Sequence, residues 1–159
     1  MRYFVVFMIF FLFFGTFAKA EKMYVKEYYD TGILKAEGWQ MDTVKTDYWI
    51  TYHHNGTIAS KGHFRNNYKT GYWFFYSRGG QLEREGHFIE GREENWWIFY
   101  EIRTRNKRKF EYKNGSRNGF GLHYQNNRLI LVEKYLNGNS IGSWTSVSEF
   151  KRDNPKVTF

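Results

Sequence analysis

Four tryptophans, Trp49, Trp73, Trp97 and Trp144, and one basic run, Arg103, Arg105, Lys107, Arg108 and Lys109, are the residues with which this chain could most readily hold a ligand. An exposed row of indoles stacks on sugar rings or anchors a protein partner, since each ring joins a large apolar area to a hydrogen-bond donor. Buried, the same row is only the core of a thin sheet, and large exposed apolar patches are rare unless functional. The basic run suits an anionic partner such as an acidic polysaccharide or a lipid headgroup. It reads equally as a solvated turn kept soluble by its charge.

Catalysis has less to draw on. Acid–base chemistry needs two carboxylates, or a histidine and a partner, converging in a cleft. Glu83 and Glu85 share one strand face but flank Arg84 and read as a solvent face. His63 and His87 fall on strands separated by one other, so their backbones stand on the order of 9–10 Å apart. The strand between them, with Tyr72 and Trp73, supplies no third metal ligand. Trp39 and Glu111 at the same repeat position point to a half-exposed surface row instead, and His53-His54 reads as a polar turn. No nucleophile elbow, phosphate-cradling glycine loop or metal-ligand spacing occurs. The expectation is a protein without catalytic residues, cofactor or metal.

The elements that position these residues follow from a repeat. Tyr28, Tyr52, Tyr76, Tyr100 and Tyr124 are spaced by 24 residues, and such a period marks a repeat architecture. Gly32, Gly56 and Gly80 share one position, Gly38, Gly62 and Gly86 another, and Trp49, Trp73 and Trp97 a third. The fourth unit is degenerate, with Phe110 at a glycine position and Gly121 in place of the tryptophan. The last unit is one residue short, so Trp144 falls one place early. This decay is expected of a terminal capping copy. Asn55-Gly56 and Gly79-Gly80 supply the positive φ angles that tight hairpin turns require, and segments such as 71–77 are rich in aromatic residues that suit strands. Alternation sets Tyr72, Phe74 and Tyr76 on one face and Trp73 and Phe75 on the other. Gly62 and Gly86 leave room for an aromatic ring from the neighbouring strand to lie across the backbone. The predicted fold is all-β: an elongated antiparallel β-meander of about five 24-residue hairpin repeats, with roughly ten or eleven strands.

The unit Asn-Gly-x5-Gly-x-Phe (residues 55–64) followed by Gly-x-Trp-x-x-Tyr (residues 71–76) resembles the MORN-repeat variant of the bacterial YwqK antitoxin family. The resemblance spans about residues 24–147. It implies a hairpin-stacked, elongated sheet with a binding or scaffolding role, and it carries no catalytic residues over. The family's usual role is cytoplasmic, and here the N-terminus departs from it.

Residues 1–20 read as a secretory signal peptide: Arg2, an apolar run over residues 3–14, then Ala18-Lys19-Ala20 at the cleavage region. A retained membrane anchor is the other reading, although the run is shorter than the roughly 20 residues a spanning helix needs. The chain has no cysteine, which excludes a lipidated cysteine and disulfides, so an exported fold must stand on aromatic packing. Aromatic residues make up 22% of the sequence and the net charge is +8. The expected layout is a leader at 1–20, one β-repeat domain at 21–149 and a C-terminal tail at 150–159, with no transmembrane helix after cleavage near Ala20.

The leading expectation is an exported (periplasmic, cell-surface or secreted), non-catalytic repeat protein that binds or scaffolds another protein through one face of its sheet. A carbohydrate or envelope-surface binder, using the tryptophans and the basic turn, is the alternative. An exported immunity-type protein is a third, and nucleic acid is the least suited partner.

Overall fold

The computed structural model describes residues 21–101 and 103–158. The leader therefore lies outside the described residues. Eleven strands form one sheet in sequence order, each antiparallel to the next. They are β1 (Lys22–Tyr28), β2 (Leu34–Met41), β3 (Val44–Tyr52), β4 (Ile58–Arg65), β5 (Tyr68–Tyr76), β6 (Leu82–Ile89), β7 (Arg92–Tyr100), β8 (Lys107–Lys113), β9 (Ser116–Gln125), β10 (Arg128–Leu136) and β11 (Asn139–Trp144). A single short helix, α1 (Val147–Asp153), follows. The all-β meander of hairpins is thus the observed architecture. Among the described residues no helix is long and apolar enough to cross a membrane.

The two ends of the sheet turn differently. At one end the strands are joined by two-residue turns, among them Asn66-Asn67, Glu90-Gly91, Asn114-Gly115 and Asn137-Gly138, with both residues at positive φ. That geometry matches the right-handed twist of the flanking strands, and asparagine and glycine tolerate it best. At the other end Gly56 and Gly80 sit inside five-residue connections, and only the second glycine of Gly79-Gly80 has positive φ. The glycines expected to make the tightest turns therefore belong to the longer loops.

The turns also lock one unit to the next. The backbone amides of Asn67, Gly91 and Gly115 donate to the carbonyls of Lys45, Lys69 and Glu93, each 22 residues earlier. In the short last unit Gly138 donates to Arg117, 21 residues earlier, so the ladder survives the deletion. Each unit is held by its neighbours, as in other stacked repeats.

Each unit also carries a bulge at a fixed position. Asp47, Gly71, Asn95 and Gly119 share a repeat position, and all have positive φ. There the register slips, as between Gly38↔Trp49 and Trp39↔Thr46, while on the other edge of the strand the pairing runs on unbroken from Asp47↔Phe64 to Trp49↔Gly62. The carbonyls of Trp39, His63 and His87 are satisfied at these slips by the indole N–H groups of Trp49, Trp73 and Trp97, at 2.7, 3.1 and 3.1 Å.

The core lies on the tryptophan face. Trp49, Trp73 and Trp97 are fully buried, each ring flat over the glycine of the neighbouring strand, where a Cβ would overlap it. Phe64 and Phe88 pack edge-on against Trp73 and Trp97, at 5.0 and 4.9 Å between ring centroids. The Lys45 ammonium stands 3.9 Å above the Trp49 ring and Lys69 stands 4.8 Å above Trp73. Burial, with Arg84 beside it, holds the Lys69 ammonium below its ordinary pKa. Long cationic side chains thus cover the rings that no second layer covers.

The fourth unit is an inversion rather than a decay. Phe110 occupies the glycine position and Gly121, its partner across the strands, the tryptophan position, so large and small have exchanged places. A Cβ on Gly121 would press on Phe110 and Tyr135. The close approach of ring and backbone is kept with its donor strand reversed.

The segment expected to be a tail is part of the fold. Ser146 caps α1 by accepting from the Glu149 amide, and Phe150 is buried against Leu122 and Val132 on the tyrosine face. A second, smaller core forms there, over β9 to β11.

Candidate functional site

The four tryptophans are not a binding surface. Three are core, with no exposure, so a glycan could not stack on them. Trp144 is not in their row at all. It pairs with Val132, on the opposite face, and packs edge-on against Phe150 at 5.4 Å while its indole N–H reaches the Asp153 carboxylate at 3.0 Å. The missing residue in the last unit is the reason, because a one-residue slip sends a side chain to the other face of a strand.

The basic run is also divided by the fold. Arg103 and Arg105 are exposed in the loop after β7, whose ends are tied by Thr104 and Asn106 donating to the Glu101 carboxylate at 3.0 and 2.9 Å. Those donors hold the Glu101 carboxyl below its ordinary pKa. Lys107 and Lys109 lie over the Tyr124 ring, 5.3 and 5.9 Å from its centroid. Arg108 pairs with Phe99 and His123 and points to the tryptophan face. Five consecutive-looking charges therefore do not make one patch.

His63 and His87 stand edge-on to Tyr48 and Tyr72, at 5.0 and 5.4 Å. Among the described residues no three His, Cys, Asp or Glu side chains gather as metal ligands would. The Glu85 carboxylate is taken by the Tyr100 hydroxyl at 2.6 Å, as Glu37 is by Tyr52 at 2.6 Å.

What the fold leaves open is the tyrosine face over β1 to β7. Tyr24, Trp39, Tyr48 and Tyr72 are 48, 37, 39 and 38% exposed, a surface of aromatic rings rather than of isolated apolar atoms. Tyr24 and Trp39 meet edge-on at 5.2 Å. Between the rings lie Ile50, Phe74 and Ile98, each half-buried. Farther along, the same face is closed by α1, which covers Leu122 and Val132 and packs Phe150 edge-on against Phe120 at 5.5 Å. The sequence places Trp39 in a half-exposed row and Tyr72 opposite Trp73, but the binding row itself was missed, although Tyr24, Tyr48, Tyr72, Trp96 and Phe120 are an unbroken 24-residue aromatic series. The signal was present one residue before the tryptophans that drew attention.

The hydroxyls of this face give a pH prediction. Burial, then the hydrogen bond and negative charge of Glu37, push the Tyr52 phenol up to about 12, and the same causes at Glu85 raise Tyr100. A raised folded-state value means that the fold favours the neutral phenol. That contribution is whole below the ordinary tyrosine value near 10 and is lost as the pH climbs through about 12. Absorbance at 295 nm should show a late phase of tyrosine ionisation that shrinks in Tyr52→Phe. A single phase near pH 10 in the folded protein would contradict the assignment.

No protein-family model matches this chain, and a search of the curated proteins finds no match either.

Proposed function

We propose that this chain is an exported, non-catalytic β-repeat protein of the MORN-variant kind that binds another protein through the open part of its tyrosine face. The observation that supports this reading is the exposed row Tyr24, Trp39, Tyr48 and Tyr72. Aromatic rings set in a rigid sheet lose little conformational freedom on binding, and tyrosine and tryptophan dominate the energetics of protein contacts. The repeat supports it further, because stacked units offer an extended surface and the deepest side chains are spent on the core.

Capture from an extract of the producing cells tests the reading. Protein purified as the cell makes it is immobilised, and its retained proteins are compared with those held by a Tyr48→Ala/Tyr72→Ala variant. The two rings are exposed, so the variant should keep its far-UV spectrum while its binding falls about tenfold or more. Equal retention by both proteins would remove the face from consideration, and retention of envelope polysaccharide alone would move the reading to carbohydrate.

A further inference from the structure

We infer that the protein partner of the tyrosine face is a second copy of this chain, packed face to face about a two-fold axis that runs along β5. The inference rests on the reading of that face as a protein-binding surface and names its occupant.

One row of side chains crosses the tyrosine face, from its open part to the border of the C-terminal segment, with one residue from each strand. From β2 to β8 it reads Glu37, Ile50, Lys61, Phe74, Glu85, Ile98, Lys109, each paired with the next. Phe74 is its centre. Reversed about Phe74, Lys61 falls on Glu85, Ile50 on Ile98 and Glu37 on Lys109. A second sheet turned over about an axis parallel to β5 presents this reversed order. Every carboxylate then meets an ammonium, every isoleucine an isoleucine, and Phe74 its own copy. Isologous contact requires such self-complementarity.

The repeat does not explain this by itself. Glu37, Lys61, Glu85 and Lys109 occupy equivalent positions 24 residues apart, where a strict repeat would place like charges. Like charges would repel in a two-fold contact, and alternation makes them attract. Within one chain these charges meet tyrosines rather than each other: Glu37 and Glu85 accept from Tyr52 and Tyr100, Lys61 lies over Phe74 and Tyr76, Lys109 lies over Tyr124, and Glu37 has an ion pair with Lys26. Neighbours in the charge series lie two strands apart, on the order of 10 Å, about one Debye length in physiological salt. Among the described residues neither Lys61 nor Glu85 forms an ion pair within the chain. Across a sheet-to-sheet contact the same groups meet directly.

The dimensions agree. Seven strands at about 4.8 Å spacing and about 20 Å of strand length give roughly 600 Å² per copy, or about 1,200 Å² in total. That is the lower end of specific interfaces. Helix α1 occupies the same layer over β9 to β11 and borders the contact on that side.

The test uses purified protein alone, followed by light scattering and sedimentation over a concentration series. The wild type should dimerise, and Lys61→Glu and Glu85→Lys should each weaken self-association about tenfold or more by setting like charges together. An equimolar mixture of the two variants should associate again, because one chain then carries two carboxylates and the other two ammonium groups. The double variant should recover likewise. Should a charge variant fail to fold, Phe74→Cys supplies a second measurement: with no other cysteine in the chain, a bismaleimide cross-linker long enough to span the roughly 10 Å between packed sheets should join two copies through the axis. A wild type that stays monomeric to about 100 μM, single variants that dimerise unchanged, or a mixture of folded variants that stays apart would each overturn the inference. If the protein is monomeric yet Tyr48→Ala/Tyr72→Ala still loses a partner from extract, the second copy is refuted and the binding face stands.

Discussion

Trp73→Ala is expected to lose about 3–5 kcal/mol of folding stability, the range for removing a fully buried large aromatic ring. Whole domains are stable by only about 5–15 kcal/mol, so the variant should sit near the edge of folding at 25 °C. The ring is unexposed, lies on Gly62, meets Phe64 edge-on, and carries the Lys69 ammonium above it. Its N–H also satisfies the His63 carbonyl left unpaired by the bulge, and losing that bond adds to the cavity. Trp73 stands in the middle of the array, so the break uncouples the units on either side rather than fraying an end. The control is its neighbour in sequence. Tyr72→Ala removes a ring of similar size from the other face, where it is 38% exposed, and should cost about 1 kcal/mol or less. Urea titration of both variants decides which face is core. Equal costs would show that the two faces share the burden.

Gly86→Ala should lose about 1–3 kcal/mol although it adds a single methyl group, because that methyl would overlap the Trp97 indole. Backbone conformation is not the cause, since Gly86 does not have positive φ. Space is the cause. The arrangement at Phe110 and Gly121 suggests the rescue: Gly86→Phe together with Trp97→Gly should be more stable than the sum of the single changes predicts, by about 1 kcal/mol or more. Additive costs in a double-mutant cycle would mean that the two positions do not share one volume.

Much of the fold was legible in the residues. A 24-residue period, strand-forming segments and the side-chain alternation of strands give the eleven-strand meander and the separation of Tyr72 and Phe74 from Trp73 and Phe75. The role of Gly62 and Gly86 as seats for indole rings was legible too, since a strand glycine needs a steric reason. Helix α1 was not, because seven residues are too short for a periodic signal and its stability comes from Phe150 docking on the sheet. The turn lengths were misassigned because glycine marks positive φ without saying how many residues share the turn.

The site was less legible than the fold, for one physical reason. Spacing determines which residues share a face, but not which face is covered. By itself the sequence determined the repeat, the meander of roughly ten or eleven strands and the two faces. Only the tertiary structure decided that the tryptophans lie under Phe64, Phe88 and Lys69, that Trp144 crosses to the other side, and that Arg108 parts from Lys107 and Lys109. Those outcomes depend on bulge positions, a one-residue deletion and the docking of α1, each a long-range contact that a local pattern does not encode. The open row of Tyr24, Trp39, Tyr48 and Tyr72 exists because the sheet has one layer and α1 covers only its far end.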